Sequence, residues 1–92
     1  MNSARVPPST TLARLDQLED RQAAVVHSVD TTGVRVGAAA AGHLADIGFI
    51  PGETVMVMAR GWPGGDPLVV RVGVSTFALR RAEARCVTVV PR

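Results

Sequence analysis

Leu44-Ala45-Asp46-Ile47-Gly48-Phe49-Ile50-Pro51-Gly52-Glu53-Thr54-Val55 holds a helix end, a tight turn and the start of a strand in one uninterrupted run. Gly48 can take the left-handed conformation that closes a helix. Pro51-Gly52 presets a type II turn, the proline fixing the first central position and the glycine supplying the positive φ of the second. Upstream, Gly37 to Phe49 reads as one short helix, because Ala38 to Ala41 are strong helix formers and Ala40, Leu44 and Ile47 share a stripe at i, i+4 and i+7. Gly42 inside it costs about 1 kcal/mol relative to alanine, which a close neighbouring backbone or a late helix start would explain. Phe49 and Ile50 are expected to turn inward.

Downstream, Val55 to Ala59 and Leu68 to Val72 read as two strands joined by the tip Gly61-Trp62-Pro63-Gly64-Gly65-Asp66-Pro67, a hairpin. Gly73 ends it, Thr76 to Leu79 form a further strand, Arg81 to Ala84 make a tight turn, and Val87 to Val90 close the chain. Before the helix, β-branched residues around His27 predict a strand over 22–29 with turn signals from Asp30 to Gly33. Thr11 is placed to cap a short helical stretch in which Leu12, Leu15 and Leu18 recur at three-residue spacing. Asp16, Glu19 and Asp20 then form a solvated face rather than a metal site. Residues 1–10 carry Pro7-Pro8 and read as a flexible lead-in, leaving 11–92 as a single domain. The chain is mainly β: five to six short strands closing into a small SH3-like barrel with one short α-helix packed against it. An OB-fold competes, but Phe49, Trp62 and Phe77 are too few aromatics for its stacking face.

Composition narrows the function. The 92 residues, 47% hydrophobic and 20% charged, suit one small globular core. A chain this size withdraws about 60–65% of its unfolded surface from water, too little for a deep substrate cavity between lobes. All ten positive charges are arginine. A Schiff-base nucleophile and a phosphate-loop lysine are therefore excluded. With tyrosine absent, His27, His43, the carboxylates and Cys86 are the acid–base inventory, and an enzyme is not expected. The single cysteine permits no internal disulfide. No apolar run reaches the roughly 18 residues of a membrane span, and the N-terminus lacks the apolar stretch of a secretory signal, so a cytoplasmic protein is expected. The net charge of +2 is spread along the chain. Its far field is weak.

Two stretches carry a family resemblance: Leu44 to Val55 above, and Phe77-Ala78-Leu79-Arg80-Arg81-Ala82-Glu83-Ala84 leading into Val87-Thr88-Val89. Both resemble the FeoA family of ferrous iron transport proteins, in which a helix ends in Leu-Gly-hydrophobic-x-Pro-Gly and a later strand reads Ala-Leu-Arg-x-x-Glu-Ala. The tip Pro63-Gly64-Gly65-Asp66-Pro67 is similar to that family's hairpin tip, and the resemblance spans about residues 11–90. It implies an SH3-like barrel and a cytoplasmic accessory role at the GTPase-coupled ferrous iron permease, FeoB, reached at the membrane only through that partner. The same barrel is similar to the C-terminal module of iron-dependent transcriptional repressors, and a free-standing relative of that module is the alternative expectation.

Three side chains stand out as partner contacts. Trp62, between Gly61 and Pro63 on a hairpin tip, either anchors an interface or folds back over the open end of the barrel. Arg80 and Arg81 either grip an acidic segment of the permease or, with Glu83, form a local ion pair that fixes the turn. Gly48, Pro51, Gly52 and Asp66 are turn residues. His27, His43 and Asp46 are the metal candidates for a divalent ion, zinc or iron. Alone they make a partial site, which two chains could share. No cofactor is required by this reading, nucleic acid is the alternative partner suggested by the arginine content, and the sequence leaves room for a homo-oligomer.

Overall fold

Runs of valine with every second side chain apolar can bury one face of a sheet and wet the other. In the computed structural model, which describes residues 11–30, 38–62 and 64–92, these runs become β2 (Ala23–Val29), β3 (Thr54–Arg60), β4 (Leu68–Val72) and β6 (Val87–Pro91), and two strands without valine, β1 (Ala13–Arg14) and β5 (Ser75–Leu79), flank them. They form one antiparallel sheet in the order β1-β6-β2-β3-β4-β5. The lead-in 1–10 and the turn residues 31–33 lie outside the described residues. Two short helices, α1 (Ala38–Asp46) and α2 (Arg81–Ala84), and a 3-10 helix η1 (Leu15–Gln17) complete the architecture. The chain is mainly β and SH3-like, as the strand pattern predicts.

Inner positions face each other along the ladders: Val26 with Val89, Val55 with Val72, Val57 with Val70, Leu68 with Leu79. All eight are at most 5% exposed. Leu15, Leu44, Phe49, Ala84 and Cys86 belong to the same core. The register shifts between Val26 and Ser28 and between Val57 and Ala59, leaving His27 and Met58 as extra residues. Such bulges bend the strand and increase its twist, and they curl this sheet around its core.

Five expectations are corrected. The segment before β2 is helical only in part: Ala13 and Arg14 pair with Val89 and Thr88, so at those two residues the free hydrogen-bonding edge of β6 outcompetes local helix formation. Only Leu15 to Gln17 wind into 3-10 turns, which put Leu15 and Leu18 on one buried face and leave Leu12 half exposed. Arg81 to Ala84 are a full helical turn, because the Glu83 side chain accepts the N–H of Arg80 at 2.8 Å and caps its start. Ile50 does not turn inward; as the first residue of the Pro51-Gly52 turn it is 46% exposed. The ladder also stops at β5, so among the described residues the sheet is not closed by pairing of its edges.

The fifth concerns Gly42. A Cβ there would meet nothing within 4 Å among the described residues, so no close backbone among them accounts for this glycine within α1. Gly42→Ala is therefore expected to stabilise the fold by about 0.5–1 kcal/mol, raising the melting temperature by roughly 2–8 °C. Thermal denaturation followed by circular dichroism checks this; a lowered melting point would show that α1 needs the glycine.

Candidate functional site

The β3–β4 connection builds the site. The Gly61 N–H donates to the Pro67 carbonyl at 2.7 Å and the Gly65 N–H to the Gly61 carbonyl at 2.9 Å, closing the tip on itself. The tip is then fastened to α2. Asp66 Oδ1 accepts the Arg81 main-chain N–H at 3.2 Å, and Arg81 Nη1 donates to the Gly64 carbonyl at 3.2 Å. The Arg80 guanidinium lies 4.0 Å from Asp66 Oδ1 and its side chain stays 73% exposed. Glu83 is occupied by the Arg80 main chain rather than by its guanidinium, so the ion pair expected between these two side chains is replaced by a helix cap.

Trp62, Arg80, Arg81 and Asp66 are thus gathered at one end of the sheet. Trp62 is 92% exposed. It does not fold back over the barrel. A wet indole on a tip held by main-chain and guanidinium bonds is presented at low conformational cost, with Arg80 and Arg81 at the same end of the sheet, and that combination suits an anchor for another macromolecule.

A further arginine at this end has a different employment. Arg60 sits opposite Leu68 at an inner position, and its Nε donates to Asp20 Oδ1 at 2.8 Å. Its Nη1 donates to the Asp16 carbonyl at 3.1 Å, and its Nη2 to the Leu18 carbonyl. This guanidinium ties the η1–β2 connection across the end of β3. Of the acidic trio, Asp20 is therefore an ion-pair partner.

The metal candidates are dispersed over two elements. His27 is the exposed extra residue of the β2 bulge, its Nδ1 at 3.1 Å from Ser28 Oγ. His43 and Asp46 are exposed one turn apart on α1. Among the described residues no group of three or more His, Cys, Asp or Glu side chains could hold a metal ion. Cys86 is buried, its Sγ donates to the Ala82 carbonyl at 3.3 Å, and burial pushes its thiol pKa up. A thiol so placed is a weak nucleophile at neutral pH.

Of the turn residues, Asp66 belongs to the β3–β4 tip, and Gly48, Pro51 and Gly52 lie at the other end of β3. Gly52 has φ 95° and the Glu53 N–H donates to the Ile50 carbonyl at 3.1 Å, the hydrogen bond of a type II turn. Gly48, at φ 118°, packs so closely that a Cβ would lie 3.0 Å from Val72 Cγ1. No helix among the described residues is long and apolar enough to cross a membrane.

A family model described as the FeoA domain matches residues 13–91. Among solved structures, Stenotrophomonas maltophilia FeoA, complexed with zinc and described as an SH3 domain protein and a candidate activating factor for bacterial ferrous iron transport, is 42% identical. That match covers 84% of this chain and 88% of the other, with a TM-score of 0.73. FeoA from Chlorobium tepidum is 30% identical, over 86% of this chain and 70% of that one, with a TM-score of 0.72. A manganese-dependent transcriptional repressor shares the fold at 20% identity, over 99% of this chain and 47% of that one, with a TM-score of 0.75. No curated protein matches the chain.

Proposed function

This chain belongs to the FeoA family, and on that premise we propose that it is a noncatalytic accessory protein of ferrous iron uptake that binds the cytoplasmic part of the FeoB permease by protein–protein contacts. The observation that carries this reading is the 92% exposed Trp62 on a tip fastened by Arg81 and Asp66. In the proposed complex the indole enters an apolar pocket of the permease, while the Arg80 guanidinium and the exposed edge of Arg81 meet acidic groups around it. Such a module changes transport by binding one permease conformation more tightly than another, and each tenfold of preference is about 1.4 kcal/mol. The work is done at the cytoplasmic face, and the protein meets the membrane only through its partner.

Zinc or iron bound by His27, His43 or Asp46 is not needed for this role. Two donors on α1 make a partial shell, which a second copy could complete. Nucleic acid is the less favoured partner, because Phe49 is buried and Phe77 lies on the inner face, leaving Trp62 without a second ring to build a stacking platform.

Co-purification with the soluble cytoplasmic region of the permease tests the proposal. Trp62→Ala should weaken binding by about 30-fold or more, as expected for a central aromatic anchor worth roughly 2 kcal/mol, with an unchanged melting temperature. Arg81→Ala should weaken binding and also loosen the tip, because it removes the hydrogen bond to Gly64. Wild-type retention of both variants would refute the assignment of this surface.

A further inference from the structure

We propose that two copies of this chain pair along β5, edge to edge across a two-fold axis that passes beside Phe77. The inference rests on the sheet edge alone and is independent of the permease reading. Among the described residues β5 has a ladder with β4 and with no other strand. Natural sheets protect such edges with charge, proline, bulges or short length. The opposite edge, β1, follows that rule: it is two residues long and carries Arg14. β5 does not. Its five residues, Ser75-Thr76-Phe77-Ala78-Leu79, contain no charge and no proline, and its register with β4 runs without a shift.

The turn before β5 fixes which main-chain groups are free. Gly73 has φ 59°, and Val74 is not among the positive-φ residues, so the two-residue loop between the paired Val72 and Ser75 is of type II′. The residues flanking such a loop form a hydrogen-bonded pair, and the pattern alternates from there. Ser75, Phe77 and Leu79 therefore spend their main-chain groups on β4. Thr76 and Ala78 aim theirs outward, and both side chains are exposed.

That outward pattern is its own complement. Antiparallel pairing about Phe77 sets Thr76 opposite Ala78 of the second copy and Ala78 opposite its Thr76, and each such pair exchanges both main-chain hydrogen bonds. Phe77 meets its own copy in the intervening non-hydrogen-bonded pair, where side chains are closest, and the two half-buried rings share the inner face. Val74, 94% exposed at the loop, falls opposite Arg80 of the second copy, whose aliphatic stem can cover it. A one-residue slip would set outward groups against groups already used. Two strands of this length bury less than the about 1,200 Å² of a standard interface, so the dimer is weak, with a dissociation constant of about 0.1–1 mM.

Sedimentation equilibrium on the full chain between about 20 μM and 2 mM, a range that brackets this constant, tests the inference together with amide NMR spectra over the same dilution. The weight-average mass should rise from 9.6 kDa toward twice that value, and the Thr76 and Ala78 amides should shift more with concentration than those of Ser75 and Phe77. Two variants should stay monomeric throughout while melting as folded protein. T76K/A78K sets lysine opposite lysine across the pairing. Ala78→Pro removes an outward donor and leaves the β4 ladder its hydrogen bonds; if it fails to fold, the double lysine variant decides alone. A wild-type protein that remains at 9.6 kDa over the whole range, or a dimer that persists in the folded variants, would overturn the proposal.

Discussion

Phe49→Ala is expected to remove about 3–5 kcal/mol of folding stability. Phe49 is the largest of the fully buried side chains, 1% exposed, and its N–H is bonded to the Leu44 carbonyl at 3.0 Å, which holds the ring at the point where α1 gives way to the Pro51-Gly52 turn. Truncation forfeits the transfer of the ring from water and leaves a cavity that the ladder-bound valines of β3 and β4 cannot close by moving. A domain of this length has roughly 5–14 kcal/mol to lose. The melting temperature should fall by about 15–30 °C, and the urea midpoint should fall in step with little change in slope. A loss under about 1 kcal/mol would mean that the helix is not packed on the sheet through this ring.

Gly61→Ala is expected to damage both the fold and the site. A Cβ on Gly61 would lie 2.5 Å from the Asp66 carbonyl oxygen, 2.7 Å from its carbon and 2.9 Å from the Pro67 nitrogen. All three are main-chain atoms, so no side chain can swing aside and the tip itself must open. The expected cost is about 1–3 kcal/mol. Opening also withdraws Asp66 and Gly64 from Arg81, and Trp62 loses its fixed presentation. In the proposed complex, affinity for the permease should therefore fall at least as far as in Trp62→Ala, and the Arg81 amide resonance should move, since its N–H donates to Asp66. An alanine variant that keeps the wild-type melting point would show that the tip is looser than these contacts require.

Much of the fold is legible in the sequence because its punctuation is chemical. Pro51-Gly52, Gly48 and Gly73 each meet a backbone requirement that few other residues satisfy, and the valine runs between them alternate as half-buried strands do. The bulges are not legible. Plain alternation from Val55 and Val57 would put Ala59 inside and Arg60 outside; the extra residue Met58 reverses this, and Arg60 goes inside to meet Asp20 and two carbonyls. No local signal marks Met58 as the extra residue, so Arg60 escapes notice as an inward-facing cation. β1 is hidden for a similar reason, since Ala13-Arg14 is a strand only because β6 offers a free edge.

The candidate site was legible in its residues and not in its geometry. An indole between Gly61 and Pro63 and a double arginine can be read from the chain. Their meeting depends on Asp66 reaching the Arg81 N–H and on Arg81 reaching Gly64, contacts separated by 15 and 17 positions in sequence. Glu83 bonds the Arg80 main chain and not its guanidinium for a physical reason: at the third position of a helical turn a carboxylate meets the N-cap N–H at shorter range than a mobile guanidinium.

Trp62 is the sole tryptophan, so its emission reports the proposed contact without a label. Titrating the soluble cytoplasmic region of the permease into this protein should give a saturable blue shift as the indole leaves water, and Arg81→Ala should move the midpoint to higher partner concentration. Unchanged emission at partner concentrations where calorimetry registers a saturated complex would place the interface elsewhere, and no complex by either method would contradict the adaptor role itself.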